Sequence, residues 1–101
     1  MSSVRVDSGS NDTGNRLVVE GDLDIAVMDA LTELIDAAPQ GSTVEVDLRA
    51  VSFMDSTGLR ALLQGRATGR EMVLVNPRPE VRRVLEIAEV VDLFTIRTSA
   101  M

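Results

Sequence analysis

Among its 101 residues the chain has no cysteine, no histidine and no lysine, and only two aromatic side chains, Phe53 and Phe94. Without cysteine there can be no disulfide, no thiolate nucleophile and no thiolate metal ligand. Without histidine as well, a zinc or copper centre loses its usual donors, and neither a Ser-His-Asp nor a Cys-His nucleophile can be assembled. These absences weigh against hydrolase chemistry and leave no metal site to expect. With so few aromatics the core falls to Leu, Val, Ile, Met and Ala, and the hydrophobic share of 45% suits strands packed under helices.

No apolar run approaches the roughly 20 residues of a membrane-spanning helix. Met1 to Gly14 is polar and lacks the apolar stretch of a signal peptide, so a cytoplasmic location is expected. Ten basic residues, all arginine, stand against sixteen carboxylates, for a net charge of -6. That balance argues against nucleic acid and anionic membrane surfaces as partners and suits a basic face on a protein. No GxxxxGK[ST] cradle for a nucleotide is present, and no cofactor is expected. The length fits one domain.

Along the chain, Val4 to Val6 reads as a first strand. The turn-rich stretch from Ser8 to Gly14 then separates it from the apolar run at Leu17, as a hairpin loop or a mobile start. After Asp24, Val27, Leu31, Leu34, Ile35 and Ala38 recur at helical spacing until Pro39 Gln40 Gly41 stops the helix. Val44, Val46 and Leu48 alternate with Glu45 and Asp47 and read as a strand, followed by a bridge, Val51 to Met54. Leu59, Leu62 and Leu63 mark a helix that starts near Ser56 or Thr57 and is finished by Gly65 or Gly69. Met72 to Val75 is a buried central strand, Pro79 opens a third helix with Val81, Val84, Leu85 and Ala88 on its stripe, and Leu93 to Ile96 is an edge strand. This order implies parallel pairing through crossover helices, with at most one antiparallel hairpin at the start. The class is therefore α/β.

Asp55 Ser56 Thr57 Gly58 places a hydroxyl where a strand hands over to a helix, a turn whose free N–H groups and positive dipole favour a cap or an added anion. Ser56 reads either as the helix N-cap or as a phosphoacceptor, and the two readings are compatible. Asp55 reads as a local cap or as the group that orients the hydroxyl or helps position a kinase's chemistry, and Gly58 as the residue that lets the helix approach the sheet or relaxes the turn. Phe53 and Met54 read as core plugs, and Arg60, Arg66 and Arg70 as solvated, with Arg60 close enough to meet a phosphate on Ser56.

The run Val51 Ser52 Phe53 Met54 Asp55 Ser56 Thr57 Gly58 Leu59 resembles the phosphorylation motif of bacterial anti-sigma factor antagonists, in the STAS domain family. Leu17 to Asp24 resembles the family's second strand and Gly-Glu-Leu-Asp turn, with Asp22 in place of the glutamate. Asn76 Pro77 through Leu93 Phe94 resembles its last helix and closing strand. The likeness runs from Val4 to Ile96. It implies a single STAS domain over residues 1–101, flexible at 1–3 and 98–101, with a mixed, mostly parallel sheet of four to five strands packed with three main helices.

The resemblance also implies a function without catalysis. The unphosphorylated chain would bind an anti-sigma factor and free a sigma factor for transcription. The anti-sigma factor would also be an ATP-dependent serine kinase acting on Ser56, with Thr57 the runner-up, and a metal-dependent serine phosphatase would reverse the step. Asp24, Asp55, Ser56, Thr57, Gly58 and Arg60 are the expected partner-binding residues of a monomer. Two departures from the family pattern bear on partner choice: the stretch from Ser56 to Met72 is about one helical turn short, and Arg60 stands where glycine is usual. The competing readings are a small-molecule or nucleotide-binding module without a phosphoswitch, and an enzyme. For the enzyme, Asp55 Ser56 Thr57 Gly58 only superficially resembles the Asp-Thr-Gly loop of aspartic proteases, because an extra residue breaks contiguity.

Overall fold

A computed structural model describes residues 3–6 and 15–98. The turn-rich stretch at Ser8 to Gly14 and most of the expected flexible ends lie outside the described residues. The elements in chain order are β1 (Ser3–Val6), β2 (Arg16–Leu23), α1 (Ile25–Asp36), β3 (Thr43–Met54), α2 (Ser56–Ala67), β4 (Glu71–Val75), α3 (Pro79–Ile87), a 3-10 turn (Val91–Leu93) and β5 (Thr95–Arg97). The sheet order is β1-β2-β3-β4-β5. β1 pairs antiparallel with β2, and every later pair is parallel with a helix in the connection. This is the expected α/β fold: five strands, one antiparallel edge and three helices.

Each helix presents one buried stripe: Val27, Leu31 and Ile35 on α1, Leu59, Ala61 and Leu62 on α2, and Val81 and Leu85 on α3. These side chains share one apolar cluster with Leu17, Val19, Val44, Val46, Leu48, Met72 and Leu74 from one face of the sheet. Burying such aliphatic side chains contributes about 1.5–3 kcal/mol each and sets the layering of helices over sheet. Gly65 sits where α2 crosses this layer. A Cβ there would come within 2.8 Å of Met72 Sδ and 2.9 Å of Ile35 Cγ2, so the helix can lie this close only without a side chain.

The other face of the sheet sets charged side chains beside the buried Val73 and Val75. Arg16 donates to Glu45 Oε1 at 2.9 Å and to Asp47 Oδ2 at 2.7 Å, and Arg97 also pairs with Glu45. Glu45 is buried beneath these arginines, because the alternation that turns Val44 and Val46 into the core sends Glu45 and Asp47 to this face.

Several expectations are corrected by the packing. β3 runs unbroken from Thr43 to Met54, so the bridge after Leu48 is strand. Its register against β2 slips twice, between Val18 and Glu20 and between Gly21 and Asp22, so that β3 carries two extra residues. Each slip is a bulge, and Gly21, at φ 88°, supplies the backbone freedom at the second. The bulges replace the two-residue alternation by inward positions at Leu48, Val51 and Met54. Two slips restore the parity of the alternation, so Phe53 faces outward, on the side of Glu45 and Asp47, and is 51% exposed, whereas Met54 is buried as expected.

Arg70 is buried as well, contrary to its reading as a solvated residue. Its guanidinium donates to the carbonyls of Ala38 at 2.9 Å and Asp36 at 3.1 Å, and to Thr68 Oγ1 at 2.6 Å. It thus closes the carboxyl end of α1, whose last carbonyls have no intrahelical donor. Arg60 and Arg66 are exposed, as expected. Ala88 caps the end of α3 in an exposed position, and Leu93 belongs to the 3-10 turn, so the edge strand begins at Thr95.

Candidate functional site

β2 and β3 end side by side, with Leu23 paired to Met54, and each hands over at once to a helix. The next residue in each case is an aspartate serving as N-cap. Asp24 accepts from the Ala26 N–H at 3.0 Å, and Asp55 accepts from the N–H groups of Thr57 at 2.9 Å and Gly58 at 3.1 Å. Extended backbone at both aspartates aims the carboxylate back over the first turn. The Asp55 N–H donates to the Leu23 carbonyl at 3.3 Å, which ties the two turns together. Two helix N-termini and two carboxylates therefore share the carboxyl edge of the sheet.

Ser56 is not the N-cap. That position belongs to Asp55, and Ser56 is the first residue of α2. Its side chain is exposed, and its hydroxyl makes no hydrogen bond among the described residues. Thr57, the runner-up acceptor, is half-buried. Gly58 is buried, and a Cβ on it would come within 2.7 Å of Leu23 Cγ and closer still to the Leu23 carbonyl oxygen. This is the close approach of helix to sheet that the sequence suggests for Gly58. Arg60 lies four residues beyond Ser56, so the two share a helical face, and it is exposed with no ion pair to any described residue.

The electrostatics of this edge are specific. The α2 N-terminus favours negative charge, worth about 0.3–1 kcal/mol at an exposed site, but the Asp55 carboxylate already takes two of its N–H groups. An anion added at Ser56 meets that carboxylate next to it and the Asp24 carboxylate on the neighbouring turn. Arg60 is the cation within reach on the same helix.

Sequence reasoning missed two residues at this edge. Ile25 is the first residue of α1, two positions ahead of the buried stripe that begins at Val27, and is 75% exposed. Its place outside the stripe could have flagged it. Phe53, which reads as a core plug, is exposed, and the alternation of Val44, Val46 and Leu48 continued to Met54 could have flagged it.

The fold agrees with comparisons to known proteins. The STAS domain family model matches residues 13–100, and the chain belongs to that family. It is similar to the anti-sigma-B factor antagonist of Bacillus subtilis (strain 168), 27% identical over 99 residues that cover 93% of this chain and 91% of that protein. Among solved structures, an anti-sigma factor antagonist from Mycobacterium paratuberculosis superposes with a TM-score of 0.71 at 24% identity, covering 97% of this chain and 88% of the other. The anti-sigma factor antagonist SpoIIAA in its unphosphorylated form superposes with a TM-score of 0.64 at 22% identity, covering 93% and 87%. At these identities the structural likeness speaks for the fold. No helix among the described residues is long and apolar enough to cross a membrane.

Proposed function

We propose that this protein is an anti-sigma factor antagonist whose binding is switched by phosphorylation of Ser56. The observation that carries the reading is the exposed, uncommitted Ser56 hydroxyl at the first position of α2, on a domain similar to an anti-sigma-B factor antagonist. The unphosphorylated chain binds an anti-sigma factor that is also a serine kinase, and so frees a sigma factor for transcription. The chain is ligand and substrate in this scheme, and the catalytic groups belong to the partners.

In the kinase step, Ser56 Oγ attacks the γ-phosphorus of ATP, a new O–P bond forms, ADP leaves, and the hydroxyl proton passes to a base of the kinase. A serine phosphatase hydrolyses the ester and restores the hydroxyl. The phosphoryl group brings about -1.5 to -2 charge and three acceptor oxygens. Because Asp55 already holds the nearby N–H donors and Arg60 carries a single positive charge, the dianion is only partly balanced and faces outward, where it opposes the partner by repulsion and desolvation. Each 1.4 kcal/mol so introduced lowers affinity about tenfold.

The small-molecule reading finds less support. A cleft of about 430 Å³ opens at the far end of α2, lined by Arg66, Arg70, Glu71 and Leu93 among others, but Arg70 there is committed to the carbonyls of α1.

The test is incubation of the purified chain with candidate anti-sigma factor kinases and ATP, followed by mass spectrometry of the peptide holding Ser56 and Thr57. One phosphate on Ser56, lost in Ser56→Ala and kept in Thr57→Ala, is the expected result. No modification and no binding with any candidate sinks the reading.

A further inference from the structure

Four large apolar side chains are exposed among the described residues: Ile25, Phe53, Ile87 and Leu93. Single exposed apolar residues are common and need no explanation. Two of these four, however, stand at the sheet edge that carries Ser56. Ile25 directly follows the Asp24 cap, and Phe53 lies two residues before the Asp55 cap, next to the Leu23–Met54 pair that joins the two turns. Neither contributes to the core cluster. Phe53 is one of only two aromatics in the chain, and the other, Phe94, is 7% exposed. Phe53 keeps the outward parity of Glu45 and Asp47, because the two one-residue slips of β3 cancel by the end of the strand.

The charges around the pair have one dominant sign. Asp24 and Asp55 cap the two helices, and exposed Asp29 lies four residues beyond Ile25, on the same face of α1. None of these three forms an ion pair with a described residue. Carboxylates without an ion-pair partner among the described residues, bordering apolar side chains, fit a partner that brings an apolar contact with basic residues at its rim.

We infer that Ile25 and Phe53 are the apolar anchors of the surface that docks the anti-sigma factor, which meets them with apolar side chains bordered by lysine or arginine. This rests on the function proposed above and deepens it by naming where the affinity resides. The anchors supply attraction, and Ser56 lies beside them where a phosphoryl group can oppose it. Truncating a buried interface anchor typically weakens binding about tenfold or more.

The experiment uses the purified full chain and the anti-sigma factor kinase that modifies Ser56, with affinity measured by calorimetry without nucleotide hydrolysis. Ile25→Ser and Phe53→Ser are each expected to weaken binding about tenfold or more, and Phe53→Lys further still. Ile87→Ser, equally exposed but remote on α3, is expected to leave affinity within about twofold of the parent. Circular dichroism and melting temperature should be unchanged in all four, because both anchors lie outside the core. Raising the salt concentration about tenfold should weaken the parent complex. Parent-like binding of Ile25→Ser and Phe53→Ser overturns the inference while the phosphoswitch stands. Sedimentation of the parent as a dimer that Phe53→Ser dissociates overturns it in favour of a second copy of the chain. A parent that neither binds nor is modified removes the proposed function and this surface with it.

Discussion

The α-carbon of Gly58 packs against Leu23 so tightly that even a methyl group there would come within 2.7 Å of Leu23 Cγ. This contact fixes how far α2 can descend onto β2, and thus where Ser56 stands above the sheet edge. Gly58→Ala is expected to force the helix outward or strain the Leu23 backbone, at a cost of about 1–3 kcal/mol. Urea denaturation of the two proteins, read at one m-value, measures it, and a change below about 0.5 kcal/mol would show that the helix start adjusts freely.

Asp55 holds two N–H groups of α2 through one carboxylate oxygen. Asp55→Ala removes both bonds and is expected to cost about 1 kcal/mol, within a range of 0.5–2. Asp55→Asn keeps an acceptor of the same shape and should recover most of that loss. An Asn variant as unstable as the Ala variant would mean that charge and not capping geometry holds the turn.

Phosphorylation of Ser56 sets a dianion beside that same cap. The phosphoprotein should stay folded, since Ser56 is exposed and contributes nothing to the core. NMR amide signals of Thr57, Gly58 and Arg60 should shift as the phosphate competes with Asp55 and attracts the Arg60 side chain. Unchanged signals at all three positions would remove Arg60 and the cap from the effect of phosphorylation.

Arg70 is a structural residue. Arg70→Ala leaves the Asp36 and Ala38 carbonyls and Thr68 Oγ1 without their donor and is expected to destabilise by about 2–3 kcal/mol. Arg70→Lys should recover little of this, because a single ammonium cannot reproduce the planar fork that spans several acceptors. Thermal denaturation of both variants decides it, and phosphorylation of Ser56 at the opposite end of α2 should proceed normally in whichever variant folds.

Much of the fold is legible in residue patterns, because hydrophobic periodicity is local. The stripe at Val27, Leu31 and Ile35, the alternation at Val44, Val46 and Leu48, and Pro79 at the start of α3 each announce their element. The Asp55–Gly58 turn is equally visible, since capping residues and a glycine leave a compositional mark. Which residue caps is less visible: aspartate and serine are both good caps, and only the backbone path into α2 assigns the role to Asp55 and leaves the Ser56 hydroxyl free.

The local sequence was thus sufficient for the element order, the α/β class and the position of the serine turn. Long-range pairing settled the rest. The two bulges of β3 exist only in its register with β2, and they bring Val51 into the core in place of Ala50 and Ser52, which plain alternation would have turned inward. Arg70 is buried because the carboxyl end of α1, more than thirty residues away in sequence, offers carbonyls that lack a donor. A side chain's periodicity reports which face of its own element it occupies. What lies against that face depends on chain segments distant in sequence, and that decided which residues of the Ser56 edge are open to a partner.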